Sequence, residues 1–220
     1  MVSYLKASGI VRSDKVEKAF LAVPREEFVS EDLRSQSYVD TPLPLIRTGQ
    51  TISAPSMLAY MVEALELEAH HRALEVGAGS GYAAAIMAEV IRGPGESTTP
   101  HKVLAMEIDQ RLVDFARDNL QRCGYSDLVE VILGDGSLGF PDEAPFDRIM
   151  VSAAASEIPR PLLDQLAKNG RMVIPVGSAA WSQELYLVSK DDSGKVKEDY
   201  MMDVVFVPLK MDSSLSRDEP

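Results

Sequence analysis

The stretch Leu74-Glu75-Val76-Gly77-Ala78-Gly79-Ser80-Gly81-Tyr82 is the strongest constraint in this 220-residue chain. A short apolar run ends in three glycines at alternate positions, and a helix-patterned segment, 82–91, follows at once. Such a junction lets backbone approach a ligand closely and aims the free N–H groups of a helix N-terminus at it. Around it, apolar runs and amphipathic segments alternate over 72–76, 82–91, 102–108, 111–123, 129–133, 146–151, 159–167 and 171–175. Read as strand, helix, strand, helix, strand, strand, helix, strand, this order predicts an α/β fold with a doubly wound, mostly parallel sheet. Two further runs, 185–189 and 202–209, flank the polar turn Asp191-Asp192-Ser193-Gly194 and predict an antiparallel C-terminal edge hairpin.

Ahead of the sheet, 13–28 carries Val16, Phe20 and Val23 at helical spacing, with Ser13 as N-cap and Pro24 near the exit. Pro42, Pro44, Gly49 and Pro55 then interrupt 38–55, which predicts a structured loop because Tyr38, Leu43, Leu45 and Ile52 are interleaved with them. Helical spacing returns over 56–67 through Met57, Met61, Ala64 and Leu65. The expected organisation is one domain over 1–209, with 1–67 an N-terminal helical and substrate-loop appendage, 68–209 the cofactor-binding sheet, and 210–220 a frayed polar tail. The stretch 93–101, with Pro94, Gly95 and Pro100, reads as a surface loop.

Lys and Arg number 22 against 34 Asp and Glu, a formal charge of −12 that repels polyanions, so nucleic acid is not expected as a partner. Cys123 is the only cysteine, which removes internal disulfides and thiolate metal clusters; no metal is expected, and a reducing cytoplasm is. No apolar run approaches the roughly 20 residues of a membrane helix, so no membrane partner is expected either.

Two acids stand where a ligand on the glycine loop would reach them. Glu107 closes the run Val103-Leu104-Ala105-Met106-Glu107-Ile108-Asp109, at the carboxyl edge of the next strand, where it either accepts both hydroxyls of a ribose or is a solvated strand end. Asp109 reads as the N-cap of the following helix. In Gly134-Asp135-Gly136, after the strand 129–133, Asp135 either receives the exocyclic amine of an adenine or bonds the backbone of its own turn. Glycine loop and acids together describe a nucleoside site with a carboxylate-bearing arm. The spacing GxGxG differs from the dinucleotide fingerprint GxGxxG.

The motif Gly49-Gln50-Thr51-Ile52-Ser53-Ala54-Pro55, just upstream of such a glycine loop, resembles the protein-L-isoaspartate (D-aspartate) O-methyltransferase family. The resemblance runs on through the glycine loop, Gly134-Asp135-Gly136, Pro145-Phe146-Asp147, Ala153-Ala154-Ala155 with Ile158-Pro159, 170–177 and Phe206-Val207-Pro208-Leu209. It implies a Rossmann-like methyltransferase fold and transfer of a methyl group from S-adenosyl-L-methionine to the free α-carboxylate of isoaspartyl residues in damaged proteins and peptides, with S-adenosyl-L-homocysteine as product. It makes Ser53 the active-site serine, lined by Thr51, Ile52, Ala54 and Pro55 and covered by Val207, Pro208 and Leu209. Glu75, Gly77, Ala78, Gly79, Ser80, Gly81, Glu107, Ile108, Gly134, Asp135 and Gly136 become the cofactor residues. Ser56 stands where the family often has His or another large residue, and Arg47-Thr48 where a small glycine-containing pair is common; both bear on peptide preference.

An acceptor carboxylate with a pKa of roughly 3.5 is ionised at neutral pH, so the displacement needs no general base. His70, His71 and His101 fall outside every motif and are expected at the surface. Ser53 either holds a carboxylate oxygen or caps the helix beginning near Ser56. Trp181 is expected to anchor the edge hairpin, Cys123 to be a small buried side chain before the C-cap glycine Gly124, and the protein to be a monomer or weak oligomer. Other readings are a methyltransferase for a small molecule or tRNA, a nicotinamide oxidoreductase, and a non-catalytic binder of damaged proteins.

Overall fold

The computed structural model describes residues 1–46, 48–92, 103–178 and 182–211. The chain opens with helices α1 (Val2–Ala7) and α2 (Asp14–Ala22), two 3-10 turns, Arg25–Phe28 and Glu31–Gln36, and a small antiparallel pair, β1 (Leu43–Leu45) and β2 (Gln50–Ile52). Helix α3 (Pro55–Leu65) leads into β3 (Ala73–Val76), α4 (Tyr82–Arg92), β4 (Val103–Glu107), α5 (Gln110–Arg122), β5 (Val129–Leu133), β6 (Phe146–Val151), α6 (Arg160–Gln165), β7 (Leu166–Gly177), β8 (Gln183–Lys190) and β9 (Val196–Val204). The seven sheet strands lie in the order β5-β4-β3-β6-β7-β8-β9. Pairs from β5 through β7 are parallel, and β8 and β9 add antiparallel.

From β3 the chain winds outward through β4 to β5, then returns to β6 on the other side of β3. That reversal opens a crevice at the carboxyl ends of β3 and β6, where open α/β sheets bind ligands. Strands β3 and β4 are buried at every position, as expected when helices cover both faces, and hence show no polar alternation. Against them lies α4, whose Ala84, Ala85 and Ala88 let its axis come close to the sheet.

Several boundaries differ from the sequence reading. The helix expected over 13–28 ends at Ala22, and Pro24 starts a separate 3-10 turn; Ser13 does cap it, its Oγ accepting the Val16 N–H at 3.4 Å. Within the loop expected at 38–55 the paired strands β1 and β2 form. The helix expected over 159–167 stops at Gln165, because β7 takes the chain from Leu166 and runs well beyond the expected 171–175. A register shift against β6 and left-handed Asn169 break its pattern and hide its first half.

The second hairpin strand, expected over 202–209, is β9 at Val196–Val204. The turn closes tightly, Asp191 N–H bonding Lys195 O, so pairing restarts with Val196 opposite Lys190. This is an edge strand with polar residues toward water, which concealed it. Residues 205–209 leave the sheet instead and turn back toward the crevice, bridging Ala154 through Pro208. The expected loop at 93–101, with His101, and the expected anchor Trp181 lie outside the described residues. Among the described residues no helix is long and apolar enough to cross a membrane.

Candidate functional site

The carboxyl ends of β3, β4 and β6, the β1–β2 pair and the segment after β9 enclose a cleft with roughly 830 Å³ of non-protein space, solvent at its mouth included. Its wall brings together Thr51, Ile52, Ser53, Glu75, Gly77, Ala78, Gly79, Ser80, Glu107, Ile108, Gly136, Val207, Pro208 and Leu209. The stretches contributing these residues are far apart in sequence, and the switch point unites them.

The glycine loop is latched to the neighbouring strand: Gly77 and Ala78 N–H both reach Met106 O, at 2.9 and 3.0 Å. Its three glycines all have positive φ. At Gly81, φ is +83° and a Cβ would also lie 3.2 Å from Leu120, so a side chain would strain the entry into α4. Gly81 itself supports the loop from behind rather than lining the cleft.

Glu107, 7% exposed, is held by backbone. Its Oε2 accepts the Gly79 N–H at 3.0 Å, and Oε1 accepts those of Ile108 and Asp109 at 2.9 and 3.1 Å. A carboxylate offers about four acceptor positions, so roughly one remains, on Oε2. Of the two expectations for this residue, a ribose-binding acid or a solvated strand end, the second does not hold, since the acid is buried and fixes the glycine loop. Asp109 caps α5 as expected, through the Arg111 N–H at 3.0 Å.

Glu75 is 1% exposed. Its Oε1 accepts from Ser152 Oγ at 3.1 Å, while Oε2 is buried with no hydrogen-bond partner. Burial pushes its carboxyl up to about 8, the Ser152 hydroxyl pulls the other way, and the nearby Glu107 charge adds to the rise. An acid in this state on the cleft wall lacks a partner that a positive group beside Oε2 would supply.

Asp135 takes the turn-capping alternative: its Oδ1 accepts Ser137 N–H at 2.9 Å and Ser137 Oγ at 2.7 Å. Neither it nor Gly134 lines the cleft, whereas Gly136 does. A Cβ on Gly136 would sit 2.5 Å from Val76 Cγ1, a fully packed position. Gly136→Ala is therefore expected to destabilise the fold by about 1–3 kcal/mol, lowering the melting temperature by several degrees in a calorimetric scan. An unshifted scan would show that Val76 yields without cost.

At the other wall, Ser53 is half-buried, and its hydroxyl has no protein partner among the described residues. It does not cap α3, because Ala54 holds that position and Asp40 Oδ1 accepts the Ser56 N–H at 2.8 Å. Ala54 and Pro55 turn away from the cleft into the start of α3. The covering segment is pinned at both ends: Ala154 brackets Val207 O and Leu209 N–H at 2.8 Å each, and Gln183 meets both backbone groups of Phe206.

Tyr82, Met106, Ser152, Gln50 and Lys210 also line the cleft and were missed. Ser152 directly follows β6, the strand beside β3, so strand order would have found it. Lys210, assigned to the frayed tail, is carried in by the Pro208 bridge. His71, expected at the surface, is buried in the connection between α3 and β3; burial and the nearby Arg148 charge depress its pKa to about 4, and its Nδ1 accepts the Glu68 N–H at 2.9 Å. Cys123 is half-buried at the C-cap of α5, ahead of left-handed Gly124.

The model of the family described as protein-L-isoaspartate(D-aspartate) O-methyltransferase matches residues 1–214. The chain is 49% identical over 209 residues to the protein-L-isoaspartate O-methyltransferase of Methanopyrus kandleri, covering 95% of this chain and 89% of the relative. It is 50% identical over 211 residues to that of Hyperthermus butylicus, covering 95% and 86%. A Plasmodium falciparum chain described as a protein-L-isoaspartate O-methyltransferase, crystallised in complex with S-adenosyl-L-homocysteine, superposes with a TM-score of 0.81 at 32% identity, over 95% of this chain and 96% of that one. The cleft, its glycine loop and these likenesses agree: the chain belongs to the protein-L-isoaspartate (D-aspartate) O-methyltransferase family.

Proposed function

We infer that this protein transfers a methyl group from S-adenosyl-L-methionine to the free α-carboxylate of L-isoaspartyl residues in damaged proteins and peptides, the step that opens their repair. The observation that carries this reading is the placement of Ser53, with its unengaged hydroxyl, in one cleft with the glycine loop and the two buried acids.

The residues fit the cofactor on two counts. Glu75 Oε2 is an orphaned buried acceptor that an ammonium would satisfy, and Glu107 Oε2 keeps an acceptor position beyond its bond to Gly79 N–H that a hydroxyl would fill. Glu107 Oε2 would accept a ribose hydroxyl, and the N-terminus of α4 with Ser80 would face the carboxylate of the methionine arm. When bound, S-adenosyl-L-methionine supplies a methyl carbon on a positively charged sulfur.

The chain's own contribution is positioning and exclusion of water. Ser53 Oγ, with Thr51 beside it, donates to one oxygen of the acceptor carboxylate and leaves the other to attack. That oxygen would be aimed at the methyl carbon, and because the carboxylate is already ionised no side chain of the cleft has to take up a proton. A base is not required, which agrees with a cleft wall that carries no histidine among the described residues. Ile52 and Val207 to Leu209 provide apolar cover that strips water from the acceptor. A single cysteine and the acidic surface accord with a cytoplasmic protein.

Methyl-labelled S-adenosylmethionine with paired peptides, identical except for isoaspartate or aspartate at one position, tests the reading. Base-labile ester is expected on the isoaspartyl peptide alone, with Ser53→Ala lowering kcat/KM by roughly 10- to 100-fold, the size of a lost hydrogen bond to a charge. Equal labelling of both peptides, or none, would sink it.

A further inference from the structure

Arg25 opens the 3-10 turn after Pro24, outside every motif noted above, and is fully buried. Among the described residues it has no carboxylate partner at salt-bridge distance. Its fork is used on two loop carbonyls instead. Nε donates to Ser37 O at 2.7 Å and Nη2 to Ser53 O at 2.8 Å. The guanidinium carbon lies 5.0 Å from the centroid of the Tyr82 ring, and Tyr82 is the first residue of α4, directly behind Gly81. Phe20 and Phe28 also pack against that ring, with centroids at 6.4 and 5.4 Å.

A buried guanidinium without an acid is expensive to desolvate, and packing alone would be served by an apolar side chain. What an apolar side chain cannot do is hold Ser53 by its carbonyl. Residues 53 and 54 bridge the end of β2 and the start of α3, so neither strand pairing nor helix bonding fixes Ser53. The β1–β2 pair also rests on the cofactor loop: Leu45 Cδ1 lies 3.1 Å from the place of a Gly79 Cβ. Two contacts thus tie the acceptor side of the cleft to the glycine-loop side.

We propose that Arg25 is a positioning residue for methyl transfer, fixing Ser53 by its carbonyl and registering it against the glycine loop through Tyr82. The planar fork suits this role, since it presents two donors at a fixed angle while its carbon lies over the ring; a lysine ammonium is a single point charge that cannot reach both carbonyls and the ring in that fixed geometry. Displacement of Ser53 by about 1 Å suffices to cost on the order of 100-fold in rate.

The proposal rests on the functional reading above, and a double-mutant cycle separates the two. Isoaspartyl-peptide kinetics are measured for wild type, Arg25→Lys, Ser53→Ala and the double variant, with S-adenosylhomocysteine affinity by calorimetry. Arg25→Lys is expected to lower kcat/KM by about 10- to 100-fold, to leave the S-adenosylhomocysteine Kd within about threefold, and to add little in the Ser53→Ala background. Wild-type kcat/KM in Arg25→Lys overturns the proposal, as do losses that multiply with those of Ser53→Ala and fall with cofactor affinity, the pattern of a residue that only holds the fold. If the Lys variant does not fold, Arg25→Gln, which keeps one planar donor, is carried through the same cycle under the same criteria. Absence of ester from the wild-type chain overturns the functional reading itself and this proposal with it.

Discussion

Glu107→Gln is expected to weaken S-adenosylhomocysteine binding by about 100-fold or more in a calorimetric titration, a larger loss than a missing ribose contact alone would cause. The native carboxylate accepts three backbone N–H groups, from Gly79 on one oxygen and from Ile108 and Asp109 on the other. A glutamine amide has one oxygen and one NH2. Whichever way it turns, a donor is placed against a donor. With the oxygen toward Ile108 and Asp109, the amide repels Gly79 N–H and releases the glycine loop; turned over, it leaves two buried N–H groups unpaired. Each bond to a charged acceptor contributes about 1.5–3 kcal/mol, so losing one and adding a repulsion accounts for two orders of magnitude. Glu107→Asp keeps the charge but is one methylene short of Gly79, and an intermediate loss is expected. Affinity within threefold of wild type for Glu107→Gln would mean that the loop holds its shape without this acid.

That dual use of Glu107 marks where sequence reading stops. The strand ends and the glycine loop are legible because short β-branched and apolar stretches stand between turn residues, so 129–133 and 146–151 match β5 and β6 to the residue even though Glu130, Asp147 and Arg148 interrupt them. An acid at a strand end is visible as well. Its partners are not, because the Gly79 N–H lies 28 residues away and is brought there by the β3–β4 register. Ser53 is similar: its neighbours in sequence allow a cap, and only the fold supplies Asp40, 16 residues upstream, to take the Ser56 N–H and free the hydroxyl from that role.

Elements whose stability comes from tertiary pairing rather than local pattern were the ones misplaced. The β9 sequence Val-Lys-Glu-Asp-Tyr-Met-Met-Asp-Val lacks an apolar run, yet pairing with β8 from Val196 to Val204 makes it a strand. The more apolar Phe206-Val207-Pro208-Leu209 looks like strand and is not, because Gln183 and Ala154 claim its backbone groups and lead it over the cleft. Arg25 and Gln183 carry no local signal at all; their meaning lies in carbonyls 28 and 23 residues away.

Glu75→Gln should move stability and ligand affinity in opposite directions, and its pH dependence has a definite sign. The folded carboxyl titrates at about 8, against 4.5 for an exposed glutamate, because burial penalises its charge. As pH rises through that window the unfolded chain gives up the proton first, so the folded state holds more protons and loses stability with rising pH. Below about 4.5 the contribution is fully present; above about 8 it is gone. Glutamine cannot ionise, so the cofactor-free variant should melt several degrees above wild type at pH 9, with little difference near pH 5. Ligand binding should respond the other way. An ammonium beside Oε2 favours the ionised carboxylate, so at pH 7 S-adenosylhomocysteine should displace about one proton from wild type, seen as a binding enthalpy that varies with the ionisation enthalpy of the buffer. Glu75→Gln should release none and bind roughly 10- to 100-fold more weakly. Equal proton release by both proteins would place the titrating group elsewhere and leave Glu75 as a packing residue. Loss of release in the variant, together with its higher melting temperature at pH 9, would mean that this buried acid is held in an unfavourable state until the cofactor arrives.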